Sequence, residues 1–240
     1  DHNGWYDRYI KDLARRPATH WRSLLTTLIE TGTNVTTSGD GDFFFGSAHF
    51  YGDNTAQSNL LTNSDVSELA VVDSDAITGV EMADAVLGCM AEFFGFLDAA
   101  GEPLFEDNMS FHVHLPHQQA KVAAKAFVKE LLANGTGGSV ENPIVNGAYN
   151  ITYSINPRFA AANSKIMYIS VSDTSNKPLV RQSEVLDGSG PDGVRISTLG
   201  RGTEYFTEHE HMLIKLLASR NVAFTHAWQS MLHCTFSTAA

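Results

Sequence analysis

The chain has 240 residues, of which 43% are apolar and 18% charged, so it can bury a substantial core and is not a disordered chain. No apolar run approaches the roughly 20 residues that a membrane-spanning helix needs. The net charge is −11, and lysine and arginine are scattered without a basic stripe. This argues against a protein that reads DNA or RNA, because such proteins neutralise phosphates with clustered cations.

The first predicted element is one long helix, bent or interrupted at Pro17. Apolar side chains recur at helical spacing on both sides of that proline. They are Tyr6, Tyr9, Ile10, Leu13, Trp21, Leu24, Leu25, Leu28 and Ile29. Proline suits the first turn of a helix, and Gly32 suits the position just past its end.

The middle of the chain predicts a loop, two further helices and a strand between them. Glycine, asparagine, aspartate and serine are dense after Gly32, which indicates an extended loop with short strands. Residues 76–101 predict a helix that is buried on much of its surface and closed by Asp98 and Gly101. The stretch MSFHVHLP predicts a short strand that ends at Pro116, and residues 117–135 predict a third helix that stops at Gly135.

The rest of the chain is rich in β-branched residues and predicts a run of strands, which we expect to form an antiparallel sheet. The predicted strands lie within residues 149–156, 164–173, 178–186, 194–199, 204–217 and 221–237. Helices followed by a run of strands predict the α+β class rather than a doubly wound α/β fold.

Two histidine pairs are the candidate metal ligands. In the stretch FHVHLPH, His112 and His114 share one face of the predicted strand, and in EYFTEHEHMLIKLL the same holds for His209 and His211. A zinc site needs three or four ligands with supporting groups, and the HExxH spacing is absent. We therefore interpret both pairs as polar faces of strands and assign no metal, cofactor or catalytic residue.

Other short motifs favour structural roles. The stretch GDGD (39–42) lacks the ligand pattern of a calcium loop and predicts a turn. The stretch NGTGG (134–138) follows a helix instead of opening one, which indicates a helix stop rather than a phosphate-binding loop. Cys89 and Cys234 have no CxxC partner and are predicted to be reduced, buried thiols.

The order of segments resembles the major capsid proteins of tailed phages with the Hong Kong 97 fold, most closely the Mu-type major head subunit. HWRSLLTTLIETG (20–32) is similar to the second part of the family's spine helix, and residues 40–59 are similar to its FF…H loop. Residues 86–127 resemble the family's helix, G.PL turn, strand and second helix. Residues 164–186 and 203–237 are similar to its closing strands and KP…Q element.

The resemblance implies a subunit with two domains. The peripheral domain would comprise residues 1–72 and 171–240, with the long spine helix and a β-sheet, and the axial domain residues 73–170, with a central sheet flanked by helices. The glycine-rich residues 134–143 would then line the pore. Only four residues precede Trp5, so the family's N-terminal arm and extended loop are expected to be absent from this chain.

The resemblance also implies a structural protein of the virion rather than an enzyme. Its partners would be other copies of itself in hexamers and pentamers, a scaffolding protein, the portal, a decoration protein and packaged double-stranded DNA bound without sequence specificity. The shell would assemble in the bacterial cytoplasm and mature from a procapsid. Two alternatives stay open: an encapsulin-like compartment shell, and a metal-dependent hydrolase that uses His112, His114, His209 and His211.

Overall fold

The computed structural model describes residues 3–34, 40–50, 55–105, 109–133, 138–147, 149–172, 177–184, 194–209 and 213–239. The helices in these ranges are α1 (Asn3–Thr31), α2 (Gly79–Phe94), α3 (Ala120–Ala126), α4 (Pro143–Asn146) and α5 (Glu204–His209). The strands are β1 (Leu60–Leu61), β2 (Ala70–Val71), β3 (Ser110–Pro116), β4 (Leu131–Ala133), β5 (Ser139–Glu141), β6 (Asn150–Asn156), β7 (Ile166–Val171), β8 (Leu179–Ser183), β9 (Val194–Leu199), β10 (Leu213–Ala218), β11 (Arg220–Phe224), β12 (Met231–Thr235) and β13 (Ser237–Thr238). The predicted α+β class is confirmed.

The chain divides into two compact units, each built from two separate segments. The smaller unit contains residues 1–28 and 179–223, and the larger unit contains residues 29–178 and 224–240. These boundaries differ from those expected for a peripheral and an axial domain, because residues 29–72, 171–178 and 224–240 belong to the larger unit. The reason is strand pairing, since β12 lies between β1 and β7 in the central sheet.

The core of the larger unit is a five-stranded mixed sheet in the order β1-β12-β7-β3-β6. β7 runs antiparallel to both β12 and β3, whereas β3 pairs in parallel with β6, and β1 in parallel with β12. The expectation of a purely antiparallel sheet is therefore wrong. The parallel pair β3/β6 needs a crossover, and residues 117–149 supply it.

The side chains on one side of β3 are apolar and fully buried. Phe111, Val113 and Leu115 alternate along β3 with the half-buried His112 and His114, which is the period-2 pattern that the sequence predicts. Burial of each large apolar side chain stabilises the fold by roughly 1.5–3 kcal/mol. The alternation therefore fixes which face of β3 points to the core and which carries the histidines.

Helix α2 begins at a capping box. Thr78 Oγ1 accepts a hydrogen bond from Glu81 N at 3.3 Å, and the Glu81 carboxylate accepts one from Thr78 N at 2.8 Å. Another residue, Val72, donates its backbone N–H to the same carboxylate at 2.7 Å. Met82, Ala83, Val86, Cys89 and Met90 are among its buried residues, so the prediction of a largely buried helix is confirmed. The helix ends at Phe94 and Gly95 caps it, so its predicted closure at Asp98 and Gly101 is wrong.

The third helix is shorter than predicted and ends at Ala126. Asn142 Nδ2 donates to Ala126 O at the end of this helix and to Lys129 O just beyond it, at 2.7 Å each. A continuing helix would need Ala126 O for its own ladder. Residues 131–133 form β4 instead and pair antiparallel with β5, so the prediction of a helix up to Gly135 is wrong.

Helix α1 is continuous through Pro17, and Gly32 follows its end as predicted. In the smaller unit, Trp21 of α1 packs against two guanidinium groups, with Arg220 Cζ 4.9 Å and Arg181 Cζ 5.5 Å from its ring centre. Arg220 also donates to the backbone carbonyl of Pro17. The remaining strands of this unit form two pairs, β8 with β11 and β9 with β10.

Candidate interaction surfaces

The histidine pair of β3 lies on one face of the central sheet, as predicted, within a set of hydroxyl groups. His112 Nδ1 lies 2.7 Å from Thr152 Oγ1, and its Nε2 lies 2.9 Å from Ser154 Oγ. His114 Nδ1 lies 3.2 Å from the same Ser154 Oγ, and its Nε2 lies 3.3 Å from Ser170 Oγ. All four ring nitrogens therefore have hydroxyl partners within the sheet.

Both imidazoles of this cluster are neutral near pH 7. Burial lowers the pKa of His112, and burial together with the neighbouring His112 lowers the pKa of His114 to about 4. In the ranges that the structure describes, no group of three or more His, Cys, Asp or Glu side chains is placed to hold a metal ion. What the cluster does within the described sheet is link β3, β6 and β7 through side-chain hydrogen bonds.

The second histidine pair does not lie on one strand face. His209 is the last residue of α5, and residues 210–212, which include His211, lie outside the described residues. The predicted strand over residues 204–217 is therefore wrong for its first half. A turn with Gly202 at φ +91° precedes the helix, and Thr207 N donates to Thr203 O at 3.2 Å, which starts the helical ladder.

A buried polar cluster that the sequence did not predict organises residues 40–59. Asn59 Nδ2 donates to the carbonyls of Phe44, Trp228 and Met231 at 2.8–3.2 Å. Its Oδ1 accepts from Gly46 N at 2.9 Å and faces His49 Nε2 at 3.2 Å. In the sequence analysis, only the resemblance of residues 40–59 to the FF…H loop drew attention to this segment.

His49 is fully buried and has contacts on three sides. The Asp40 carboxylate lies 2.7 Å from its Nδ1, and Asn59 Oδ1 lies 3.2 Å from its Nε2. The His49 ring also stacks on Trp228, with ring centres 4.2 Å apart. The predicted turn at GDGD is confirmed for the described residues 40–42.

The first half of α1 exposes large apolar side chains. Trp5 and Tyr9 are each 64% exposed and Ile10 is 49% exposed, and the Trp5 and Tyr9 rings lie 6.1 Å apart. Sequence periodicity predicted Tyr9 and Ile10 on one face, where they would be expected to pack inward. A short isolated helix is only marginally stable in water, so a helix with this exposed face is stabilised when another surface covers it.

The β9–β10 pair is a second apolar surface in the smaller unit. Ile196 of β9 and Ile214 of β10 lie on one face of the pair, and Leu217 lies on the other, and all three are exposed. A two-stranded sheet by itself is marginally stable. In a folded monomer, such side chains mark a surface that associates with another protein.

The two cysteines are both fully buried and reduced, as predicted. Burial, followed by the neighbouring Cys234, raises the pKa of the Cys89 thiol well above its usual value. The candidate pore residues 134–143 include β5 and the start of α4, whereas residues 134–137 lie outside the described residues.

Among the described helices, none has the length and apolar character that crossing a lipid bilayer requires. No protein-family model matches the chain, and the comparison with curated proteins gives no match either.

Proposed function

We propose that this chain is the major capsid protein of a tailed phage, with the Hong Kong 97 fold and closest to the Mu-type head subunit. Copies assemble into hexamers and pentamers, and these close into an icosahedral shell around double-stranded DNA. A scaffolding protein, a portal and a decoration protein complete the particle, which assembles in the bacterial cytoplasm. The chain has a structural role and no catalytic one.

The observation that carries the proposal is the exposed apolar surface of the smaller unit. Trp5, Tyr9 and Ile10 on α1 and Ile196 on β9 are each at least 49% exposed. Subunits of a closed shell bury surfaces of this kind against their neighbours. The order of segments, the long N-terminal helix and the α+β class also support a shell subunit of this family.

Self-association tests this proposal directly. The purified chain is measured by light scattering coupled to size exclusion and by negative-stain electron microscopy, over a range of protein concentrations and with scaffolding protein added. We expect rings of five or six copies or closed particles. A chain that stays monomeric under all these conditions would contradict the proposal.

Each of the two alternative functions can be distinguished from a phage capsid by its own measurement. An encapsulin-like shell forms similar particles, but a cargo protein rather than DNA co-purifies with them. The hydrolase reading draws on the shared face of His112 and His114. It requires a stoichiometric metal ion in the purified protein, which elemental analysis by mass spectrometry measures, and its loss in the His112→Ala variant.

A further inference from the structure

The two compact units differ sharply in charge. The smaller unit contains 10 Lys and Arg residues against 9 Asp and Glu residues, a net charge of +1. The larger unit contains 6 Lys and Arg residues against 18 Asp and Glu residues, a net charge of −12. The whole excess of negative charge of the chain therefore belongs to the larger unit.

The positive charge of the smaller unit is concentrated on the exposed first half of α1. Residues 3–22 contain five Lys and Arg residues against two Asp residues. Arg8, Lys11 and Arg15 follow one another at spacings of three and four residues, so they lie on one face of the helix, and all three are exposed. We call these three residues the basic stripe. It is about 10 Å long, since a helix rises 1.5 Å per residue.

The basic stripe lies on the part of the helix that also exposes aromatic rings. Trp5 and Tyr9 precede and interleave with its members along the first two turns. Asp12 lies among the three cations and offsets part of their charge. Trp5 precedes Arg8 by one turn and therefore borders the basic stripe, whereas Tyr9 directly follows Arg8 and projects from another side of the helix.

The larger unit has an acidic counterpart on the solvent side of α2. Asp84 and Glu92 are eight residues apart on that helix, and the Glu68 carboxylate lies between them. A Cβ atom placed on Gly88 would lie 3.0 Å from Glu68 Oε2. We call Asp84, Glu68 and Glu92 the acidic stripe. It is about 12 Å long.

The carboxylates of the acidic stripe repel one another. Burial and the neighbouring Glu68 raise the pKa of Asp84, and burial and the nearby Asp65 raise the pKa of Glu92. In the described part of the larger unit, no lysine or arginine lies within ion-pair distance of these groups. A cation brought to this surface would relieve the repulsion.

We infer that the basic stripe of α1 in one copy docks on the acidic stripe of α2 in a second copy. The two stripes have opposite charge and nearly the same length; the basic stripe lies on α1, and the acidic stripe combines two residues of α2 with Glu68 of a neighbouring turn. The paired charges select the partner and its register, and Trp5 adds apolar contact beside them. The inference rests on the proposed function, because it names the surfaces through which shell subunits recognise each other.

This contact joins two different patches, so it is heterologous. In a pair of copies, one copy uses its basic stripe and the other its acidic stripe. The first copy therefore keeps its acidic stripe, and the second its basic stripe, for binding further copies. Repetition of such a contact generates rings when the rotation closes and open filaments when it does not. Hexamers and pentamers are rings of this kind.

Charge reversal and its rescue test the inference. The first variant is R8E/K11E/R15E, the second is D84K/E92K, and the third combines all five substitutions. We expect each of the first two to raise the concentration needed for half-maximal assembly by at least about tenfold, since attraction becomes repulsion. The combined variant restores assembly. An equimolar mixture of the first two variants restores only rings with an even number of copies, because the two variants must alternate around the ring.

Matched controls separate this contact from a general effect of charge. The variant K121E/K125E/K129E changes the net charge by the same amount on another exposed surface, and we expect it to assemble like the unmodified chain. The substituted residues of α1 are all exposed, so circular dichroism should show unchanged secondary structure in the variants.

The outcomes distinguish this inference from the proposed function. If R8E/K11E/R15E assembles as well as the control variant, or if the combined variant fails to recover while the unmodified chain forms particles, the docking inference is overturned and the proposed function stands. If the unmodified chain stays monomeric, both are overturned. Sodium chloride at about 1 M shortens the screening length to roughly 3 Å, so assembly through this contact should weaken there.

Discussion

Asn59 has more influence on the larger unit than its short side chain suggests. The two N–H groups of its amide are shared among the carbonyls of residues 44, 228 and 231, and its Oδ1 accepts from Gly46 N and faces His49 on the other side. A buried polar group left without a partner costs about 1–3 kcal/mol. Removal of the amide would take a donor from these carbonyls and the acceptor from Gly46 N, although Met231 N still donates to Trp228 O.

The variant Asn59→Ala should therefore lower the free energy of unfolding by about 3 kcal/mol, which places it among the larger effects of single substitutions. Urea unfolding followed by near-ultraviolet circular dichroism measures the change. Asn63→Ala is the matched control, because Asn63 lies on an exposed turn and should change stability by less than about 0.5 kcal/mol. Equal stability of the two variants would contradict the role assigned to the buried amide.

His233 makes the free energy of unfolding depend on pH. Its ring packs between Phe45 and Tyr168, with centres 5.4 and 5.1 Å away, and burial lowers the pKa of His233 from 6.5 to about 4. The folded state keeps the ring neutral, whereas the unfolded chain takes up a proton below about pH 6.5. The unfolded state thus binds more protons between about pH 6.5 and pH 4, so the free energy of unfolding falls as the pH falls through that window.

Between pH 7 and pH 5, the titration of His233 lowers the free energy of unfolding by about 2 kcal/mol. We expect His233→Phe to reduce the loss of stability over that interval by this amount, measured by urea unfolding at both pH values. His226→Phe serves as the control, since His226 is exposed. An unchanged pH dependence in His233→Phe would show that another group titrates instead.

At the scale of elements, the junction after α1 is tightly packed. A Cβ atom on Gly32 would lie 2.6 Å from Phe45 Cδ2 and 3.0 Å from Phe224 Cζ. The Phe44 and Phe224 rings are stacked with centres 3.8 Å apart, so the aromatic cluster has little room to move aside. Glycine is thus required at position 32 because the Phe45 and Phe224 rings lie close to its Cα, as well as because the residue follows the end of the helix.

Gly32→Ala should destabilise the larger unit by about 1–3 kcal/mol, the usual cost of overpacking a core. Thermal unfolding monitored by tryptophan fluorescence measures the loss. Gly4→Ala provides the contrast, because nothing lies within 4 Å of its Cβ position and alanine favours a helix. A melting temperature for Gly32→Ala as high as that of Gly4→Ala would disprove the packing argument.

Elements with a strong local period were predicted well, and elements decided by distant partners were not. The burial of helix α2 and the alternation in β3 follow from the sequence alone, and both are confirmed. The end of α3 depends on Asn142, which lies 16 residues beyond Ala126. The shared face of His112 and His114 follows from period 2, whereas the contact of His49 with Asn59 depends on how the intervening loop folds back.

At the scale of the whole molecule, the sequence predicted two parts but not their boundaries. The pairing of Leu60 with His233 joins segments that are far apart in the chain, and no local sequence pattern predicts this pairing. The same applies to the charge difference between the units, which appears only after the segments have been sorted by their contacts. Lysine and arginine are scattered over the chain as a whole, and Arg8, Lys11 and Arg15 are recognised as the basic stripe only when the structure shows that all three are exposed on one face of α1.

The place of β12 between β1 and β7 has a consequence for biosynthesis. A ribosome that has translated residue 171 has made β1, β3, β6 and β7, yet the gap between β1 and β7 stays open for another 60 residues. The nascent polypeptide therefore cannot complete its hydrophobic centre until residues 231–235 emerge from the exit tunnel. The sheet therefore closes later than the synthesis of its other four strands, and its core stays open to solvent over that interval.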